Sequence, residues 1–165
     1  LVSRTETSAF IQVIRAGEPK PAFSQTSNFA PDGVVVTAPV VIGDMSEALT
    51  RSGHVVLHDL AFETGSSKLG SGPFDTLENL ARFLKQNPEV QVALVGHTDA
   101  VGSRDSNLRL SQRRAQAARN RLVQTYGVSG AQITAEGMGY LAPRASNLTD
   151  AGRIANRRVE AVLLP

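Results

Sequence analysis

Val92–Ala115 reads VALVGHTDAVGSRDSNLRLSQRRA. Its front, extended back to Val90, is a nearly continuous apolar run, which predicts a strand buried on both faces. Gly96 and Gly102 then permit tight backbone in a polar loop. From Ser106 the spacing predicts a helix of about five to six turns, closed by Gly127. Asp105 or Ser106 is its expected N-cap. A strand, a loop and a helix in that order form the front of a β-α-β unit, and such units build sheets with parallel strands.

The directions of the side chains sharpen this reading. Leu108, Ser111, Ala115, Ala118 and Leu122 fall on one narrow helical stripe that must face the sheet. Arg113 lies roughly 170° from the centre of that stripe and belongs to solvent, as does Arg109. Arg114 lies only about 70° away, on the shoulder, from which its guanidinium can reach the groove beside the sheet. Asn107 is nearly in line with it. Asp99 follows the carboxyl end of the strand, where ligands of open α/β sheets bind. Asp99, Asn107 and Arg114 can therefore converge on one crevice. A carboxylate there takes an ammonium, and a guanidinium takes a carboxylate in bidentate fashion. The matching ligand is an amino-acid head group. The alternative is internal: Asp99 caps a turn and Arg114 pairs with it.

Outward from this stretch, DMSEALTRSG predicts a short helix capped by Asp44 or Ser46 and stopped by Gly53. HVVLHDLAF predicts a strand. GPFDTLENLARFLKQNP predicts a helix with Leu77, Leu80, Ala81 and Leu84 on its inner face and Pro88 at its end. AQITAEGMG and RRVEAVLL predict further strands, joined by a long loop with at most one helical turn. The fold class is α/β (α+β): β-α-β-α-β-β, a mixed sheet with the helices packed on it, the last strand antiparallel. Residues 1–43 read as an N-terminal β-rich extension or the tail of an upstream domain, and residues 44–165 as one domain. Pro39 argues against a central strand in the extension.

Composition narrows the function. The 165 residues are 41% hydrophobic and carry a net charge of +2, which is globular and not strongly basic. Aromatics are few and Trp is absent, so stacking platforms for single-stranded nucleic acid are scarce. Without cysteine there are no disulfides, thiolate nucleophiles or cysteine-bound metals. His54 and His58 have the i, i+4 spacing of a helical zinc pair, but Val-Val-Leu between them favours a strand, where they stand about 13 Å apart. His97, Asp99 and Ser103 or Ser111 lack a nucleophile elbow, and ETGSSKLGSG lacks the phosphate-loop pattern. No metal, cofactor or catalytic residue is expected, and the chain is not read as an enzyme. No run approaches the roughly 18 apolar residues of a membrane span, and LVSRTETSAF has no signal-peptide core. The chain is read as a mature form or excised fragment whose export signal or anchor lies outside it.

The stretches VGHTDAVGSRDSNLRLSQRRAQAARNRL, AEGMGYLAPRASN and GRIANRRVEAVL together resemble the OmpA-like peptidoglycan-binding domain of OmpA C-terminal regions, peptidoglycan-associated lipoproteins and MotB proteins. The resemblance covers about residues 54–165 and rests on G-H-T-D, N-x-x-L-S-x-x-R-A, G-x-G, a proline and N-R-R-V in order. It implies an OmpA-like fold and non-catalytic binding of the diaminopimelate of the peptidoglycan stem peptide. Asp99 and Arg114 would hold the amino-acid head, supported by Thr98, Asn107, Asn156 and Arg157. It also implies a periplasmic, outer-membrane-associated protein of a Gram-negative cell, tethered through a part outside this chain. A homodimer is compatible with it. ETGSSKL departs from the pattern in carrying few acids. The alternative is a structural or protein-partner module of an envelope complex that does not itself bind peptidoglycan.

Overall fold

The computed structural model describes residues 42–60, 62 and 65–165, with side chains from Met45 onward. The β-rich extension expected for residues 1–43 therefore lies almost wholly outside the described residues. Helix α1 spans Ile42–Ser52, strand β1 His54–Val56, helix α2 Asp75–Gln86 and strand β2 Val92–His97. Helix α3 spans Arg104–Gln124. A single 3-10 turn at Gly130–Gln132 leads into β3 (Ile133–Gly139), followed by α4 (Asp150–Asn156) and β4 (Val159–Leu163). Among the described residues no helix is long and apolar enough to cross a membrane.

The mixed sheet and its antiparallel last strand are present, but the strand order differs from simple β-α-β succession. The order is β1-β4-β2-β3. β2 and β3 pair in parallel, while β4 runs antiparallel to both β1 and β2. The first crossover thus leaves a gap one strand wide, and the last strand fills it, as in a split β-α-β arrangement. Only long-range pairing decides this, so local patterning does not reveal it. β1 is also shorter than the nine-residue run suggested: the chain turns away after Leu57.

Three helices cover one face. Alternate strand residues Val55, Val92, Leu94, Ile133, Val159 and Ala161 meet Met45 and Leu49 of α1, the expected Leu77, Leu80, Ala81 and Leu84 of α2, and Ala115, Ala118 and Leu122 of α3. The helix starts differ from expectation. α1 begins before Asp44, so Ser46 sits inside it with its carbonyl accepting from Thr50. α2 takes its cap from a distant loop: the Asp59 carboxylate accepts from Thr76 N at 3.0 Å and from the Thr76 hydroxyl. At α3 the cap is Ser103, whose hydroxyl accepts from Ser106 N, and Asp105 lies in the first turn, where its charge favours the helix dipole. The loop expected before β4 contains α4, capped by Thr149.

Glycines decide how α3 seats. A Cβ at Gly96 would overlap the Ser111 carbonyl, and one at Gly137 would lie 2.7 Å from Ser111 Oγ and 2.6 Å from Gln112 N. The helix backbone therefore rests directly on β2 and β3 around Ser111. This contact turns the helix from the expected orientation. Leu108, expected to face the sheet, is 46% exposed, and Arg114, expected on the shoulder, is fully buried. On the far side of the helix, Gln112 donates to Ala135 O at 2.7 Å, and Arg119 donates to Ile133 O and Gly130 O.

Candidate functional site

The backbones of His97 and Thr98 are gripped from both sides: His97 N–H donates to Arg158 O and Thr98 N–H to Gly139 O. Asp99 is the first residue released from this grip. Because β4 runs antiparallel beside β2, the segment entering β4, Asn156–Arg158, lies at the same end of the sheet as Asp99. The strand order thus brings together two motifs that are 58 residues apart.

Asp99 is only 6% exposed, and both carboxylate oxygens are engaged. Oδ1 accepts from Val101 N at 3.1 Å, closing a turn. Oδ2 accepts from Arg157 Nη1 at 2.8 Å. Of the internal alternative, the first part is met and the second is not: Asp99 caps a turn, but its ion pair is with Arg157 and not with Arg114.

Arg114 lies beneath this pair. Its Nε donates to Ser66 O at 2.9 Å and its Nη1 to His97 O at 3.3 Å. Its guanidinium stacks 5.0 Å from the centre of the Phe62 ring. Burial and the nearby Arg157 charge lower its pKa to about 10, with Asp99 opposing them, so it stays protonated at neutral pH. Arg109 and Arg113 are exposed, as expected.

The remaining expected residues shape loops. Asn107 Nδ2 donates to Val101 O and Ser103 O, fastening the loop that carries Asp99 to the start of α3. Asn156 is fully buried. Its amide oxygen accepts from Arg144 N and Ala145 N, and its nitrogen donates to Ala145 O and Asn147 Oδ1. Thr98 is buried, and its hydroxyl meets no hydrogen-bond partner among the described residues. Sequence reasoning missed Asn147, whose Oδ1 also accepts from Ala100 N at 3.1 Å and so ties the Asp99 loop to the loop before α4. It also missed Ser66. Asn147 lies in PRASN, and its only sequence signal is its place in the motif. Ser111, considered as a nucleophile, donates to Leu108 O and accepts from Gly139 N. Among the described residues no cluster of metal-binding side chains occurs.

His97 lies on the opposite side of β2 from α3. It is buried, its ring nitrogens lack hydrogen bonds within the described residues, and Nε2 stands 3.8 Å from Glu160 Oε2. Arg158 holds Glu160 at 2.6 Å. Burial pushes the imidazole down to about 4; Arg158 and Arg144 add to the fall, and Glu160 opposes it. The unfolded chain therefore binds a proton at this residue that the folded chain refuses. Stability from His97 is complete above about pH 6.5 and is lost as pH falls toward 4, by up to about 3 kcal/mol. Thermal unfolding from pH 7 to 4 should show that decline, and His97→Leu should remove most of it.

Residues 61–157 match the OmpA family. The chain is 45% identical over 103 residues to outer membrane porin F of Pseudomonas aeruginosa, covering 62% of this chain and 29% of that protein. It is 32% identical over 143 residues to the peptidoglycan-binding protein ArfA of Mycobacterium tuberculosis, covering 87% of this chain and 44% of ArfA. The crystal structure of the peptidoglycan-associated lipoprotein from Burkholderia pseudomallei superposes with a TM-score of 0.59 at 31% identity, over 64% of this chain and 88% of that one. The chain thus spans less than half the length of these two curated relatives. The family match begins after β1 and runs through Arg157, includes every residue of the Asp99 cluster but Arg158 and Glu160, and agrees with the split mixed sheet: the chain belongs to the OmpA family.

Proposed function

We propose that residues 44–165 are a binding module for the peptidoglycan stem peptide, recognising diaminopimelate, with residues 1–43 an extension or the tail of an upstream domain. The module is not an enzyme. The observation that carries the reading is the Asp99 carboxylate paired with Arg157 at the carboxyl end of β2, with the Arg114 guanidinium held nearby on the carbonyl of His97. Charges of both signs at one spot suit a ligand that bears both. ArfA, named as peptidoglycan-binding, and the peptidoglycan-associated lipoprotein support the same direction.

In this reading Asp99 takes the ammonium of diaminopimelate, and Arg114 takes the carboxylate in place of the Ser66 carbonyl. Asn107, Thr98 and Asn156 hold the surrounding loops, and Arg157 faces the ligand. The module would tether an outer membrane or envelope complex to the wall from the periplasm of a Gram-negative cell, through a part of the protein outside this chain.

One observation favours the rival, a structural or partner-binding module: Arg114 is fully buried. Calorimetric titration separates the two. A stem tripeptide ending in diaminopimelate should bind at least about tenfold tighter than the same peptide ending in lysine, which lacks the second carboxylate. Equal affinities, or no heat with either, would reject the proposal.

A further inference from the structure

We infer that the outer face of α3 is a basic track, formed by Arg104, Arg109 and Arg113, that draws the module onto carboxylates spaced along the wall polymer before the Asp99 site is filled. The inference rests on the stem-peptide reading and adds a second surface to it.

Helix α3 carries six arginines and one acid, Asp105, although the whole chain has a net charge of only +2. Two of the six serve the fold: Arg119 donates to the carbonyls of Ile133 and Gly130, and Arg121 to those of Gly70 and Gly72. Arg114 is buried at the site. Arg104, Arg109 and Arg113 are exposed, and none of the three makes a side-chain hydrogen bond or an ion pair within the described residues. The first two helices treat their exposed arginines differently. Arg51 of α1 and Arg82 of α2 each pair with a glutamate four residues earlier. Arg109 has Asp105 at that spacing and forms no pair with it, and Arg113 has Arg109 there. Like charges at i and i+4 destabilise a helix, a local cost that an anionic partner removes. Neighbouring elements do not relieve it. Gly137 of β3 lies under α3, so Glu136 beside it points to the other face of the sheet, and Glu78 of α2 is taken by Arg82.

The track begins beside the ligand site. Asn107 ties Val101 O, in the loop of Asp99, to Ser103 O, and Arg104 follows Ser103. From Arg104 to Arg113 the helix rises about 13 Å. A line of cations of that length, leading away from a recognition site, suits a polymer with recurring carboxylates better than one small anion. Peptidoglycan offers such carboxylates where its stem glutamates are linked through their side chains. Exposed charges of this kind act at a distance: they raise the rate of association and make it depend on salt, with little effect on the complex once formed. Retention, which reads the Asp99 site, therefore survives the loss of Arg113 alone.

The test times association with immobilised sacculis' polymer at two salt concentrations, about 20 mM and about 300 mM, on either side of strong screening. Arg104→Gln/Arg109→Gln/Arg113→Gln should associate at least about threefold more slowly than wild type at the lower salt and equally fast at the higher. It should bind the diaminopimelate tripeptide as tightly as wild type and melt no lower. Arg51→Gln/Arg82→Gln/Lys85→Gln removes as many exposed charges from α1 and α2 and should slow far less. Equal slowing in both triple variants would assign the effect to net charge. No slowing would leave α3 merely solvated, and a loss of tripeptide affinity in step with the rate would make the three arginines part of the head-group site. Each of these results overturns the inference. Poly-γ-glutamate, which has the carboxylates and no diaminopimelate, keeps the test readable if the stem-peptide reading fails. Followed by NMR at the lower salt, it should shift the amides of residues 104–113 in wild type and not in the α3 variant. Absence of those shifts, or shifts with phosphatidylglycerol vesicles alone, sinks the track.

Discussion

Asp99→Ala should abolish retention of the chain on purified sacculi, while Arg113→Ala leaves it unchanged. The Asp99 carboxylate is largely desolvated, so removing it takes away the anion proposed for the ammonium and leaves Arg157 without this counter-ion. Losing one member of such a charge pair costs about 2–5 kcal/mol, roughly thirtyfold to several thousandfold in affinity. Arg114→Ala should lose retention as well, and it should also lose stability. Its guanidinium fills a sealed space against two carbonyls and an aromatic face, and truncating it there costs about 3–5 kcal/mol. Arg114→Lys keeps the charge without the planar fork, and binding measured on its folded fraction separates recognition from folding. Arg113 is the built-in control, adjacent in sequence and exposed. A sacculus pull-down with thermal melts of all four variants decides the matter. Normal retention by folded Asp99→Ala would remove the carboxylate from the site.

Gly96→Ala should be the most damaging single methyl that can be added where α3 rests on the sheet. The new Cβ would overlap the Ser111 carbonyl, which is helix backbone and cannot rotate away as a side chain would. α3 must lift from β2, and the Leu122, Ala118 and Ala115 contacts lift with it. Overpacking of this kind costs about 3 kcal/mol or more, a fall in melting temperature of about 10 °C or more. Asp99 follows three residues later, so ligand affinity should fall together with stability. A melt within about 2 °C of wild type would show that the helix seat is softer than its geometry indicates.

Local patterning carried much of this fold. Periodicity located α2, β2, α3 and β3, because each buries a regular apolar face. It left the neighbour of β1 open, since a three-residue strand owes its place to β4, more than 100 residues away. It also turned α3 by part of a rotation. The stripe runs through Leu108, Ser111, Ala115, Ala118 and Leu122 at helical spacing, whereas the seat is set by Gly96 and Gly137, which lie on the strands and outside any helical stripe. For the same reason Arg114 came out nearer to water than it is. Asp99 was legible from its position after a buried strand. Its partnership with Arg157 was not, because that contact exists only once β4 has entered between β1 and β2. Asn156 and Asn147 illustrate a related limit: nothing local tells a loop-fastening amide from one that meets a ligand, and here the four bonds of Asn156 are spent on its own chain.

The bonds from Gln112 and Arg119 to β3 reach past this domain's own architecture. Among the described residues β3 is the outermost strand on its side of the sheet, and the carbonyls of Ile133 and Ala135 are acceptors that a strand from another molecule would use to extend it. α3 fills these two with its own side chains, which opposes strand addition there. At the opposite margin β1 offers only three residues, too few to template a lengthy ladder. The helix that bears Arg114 thus also guards the longer margin of the sheet.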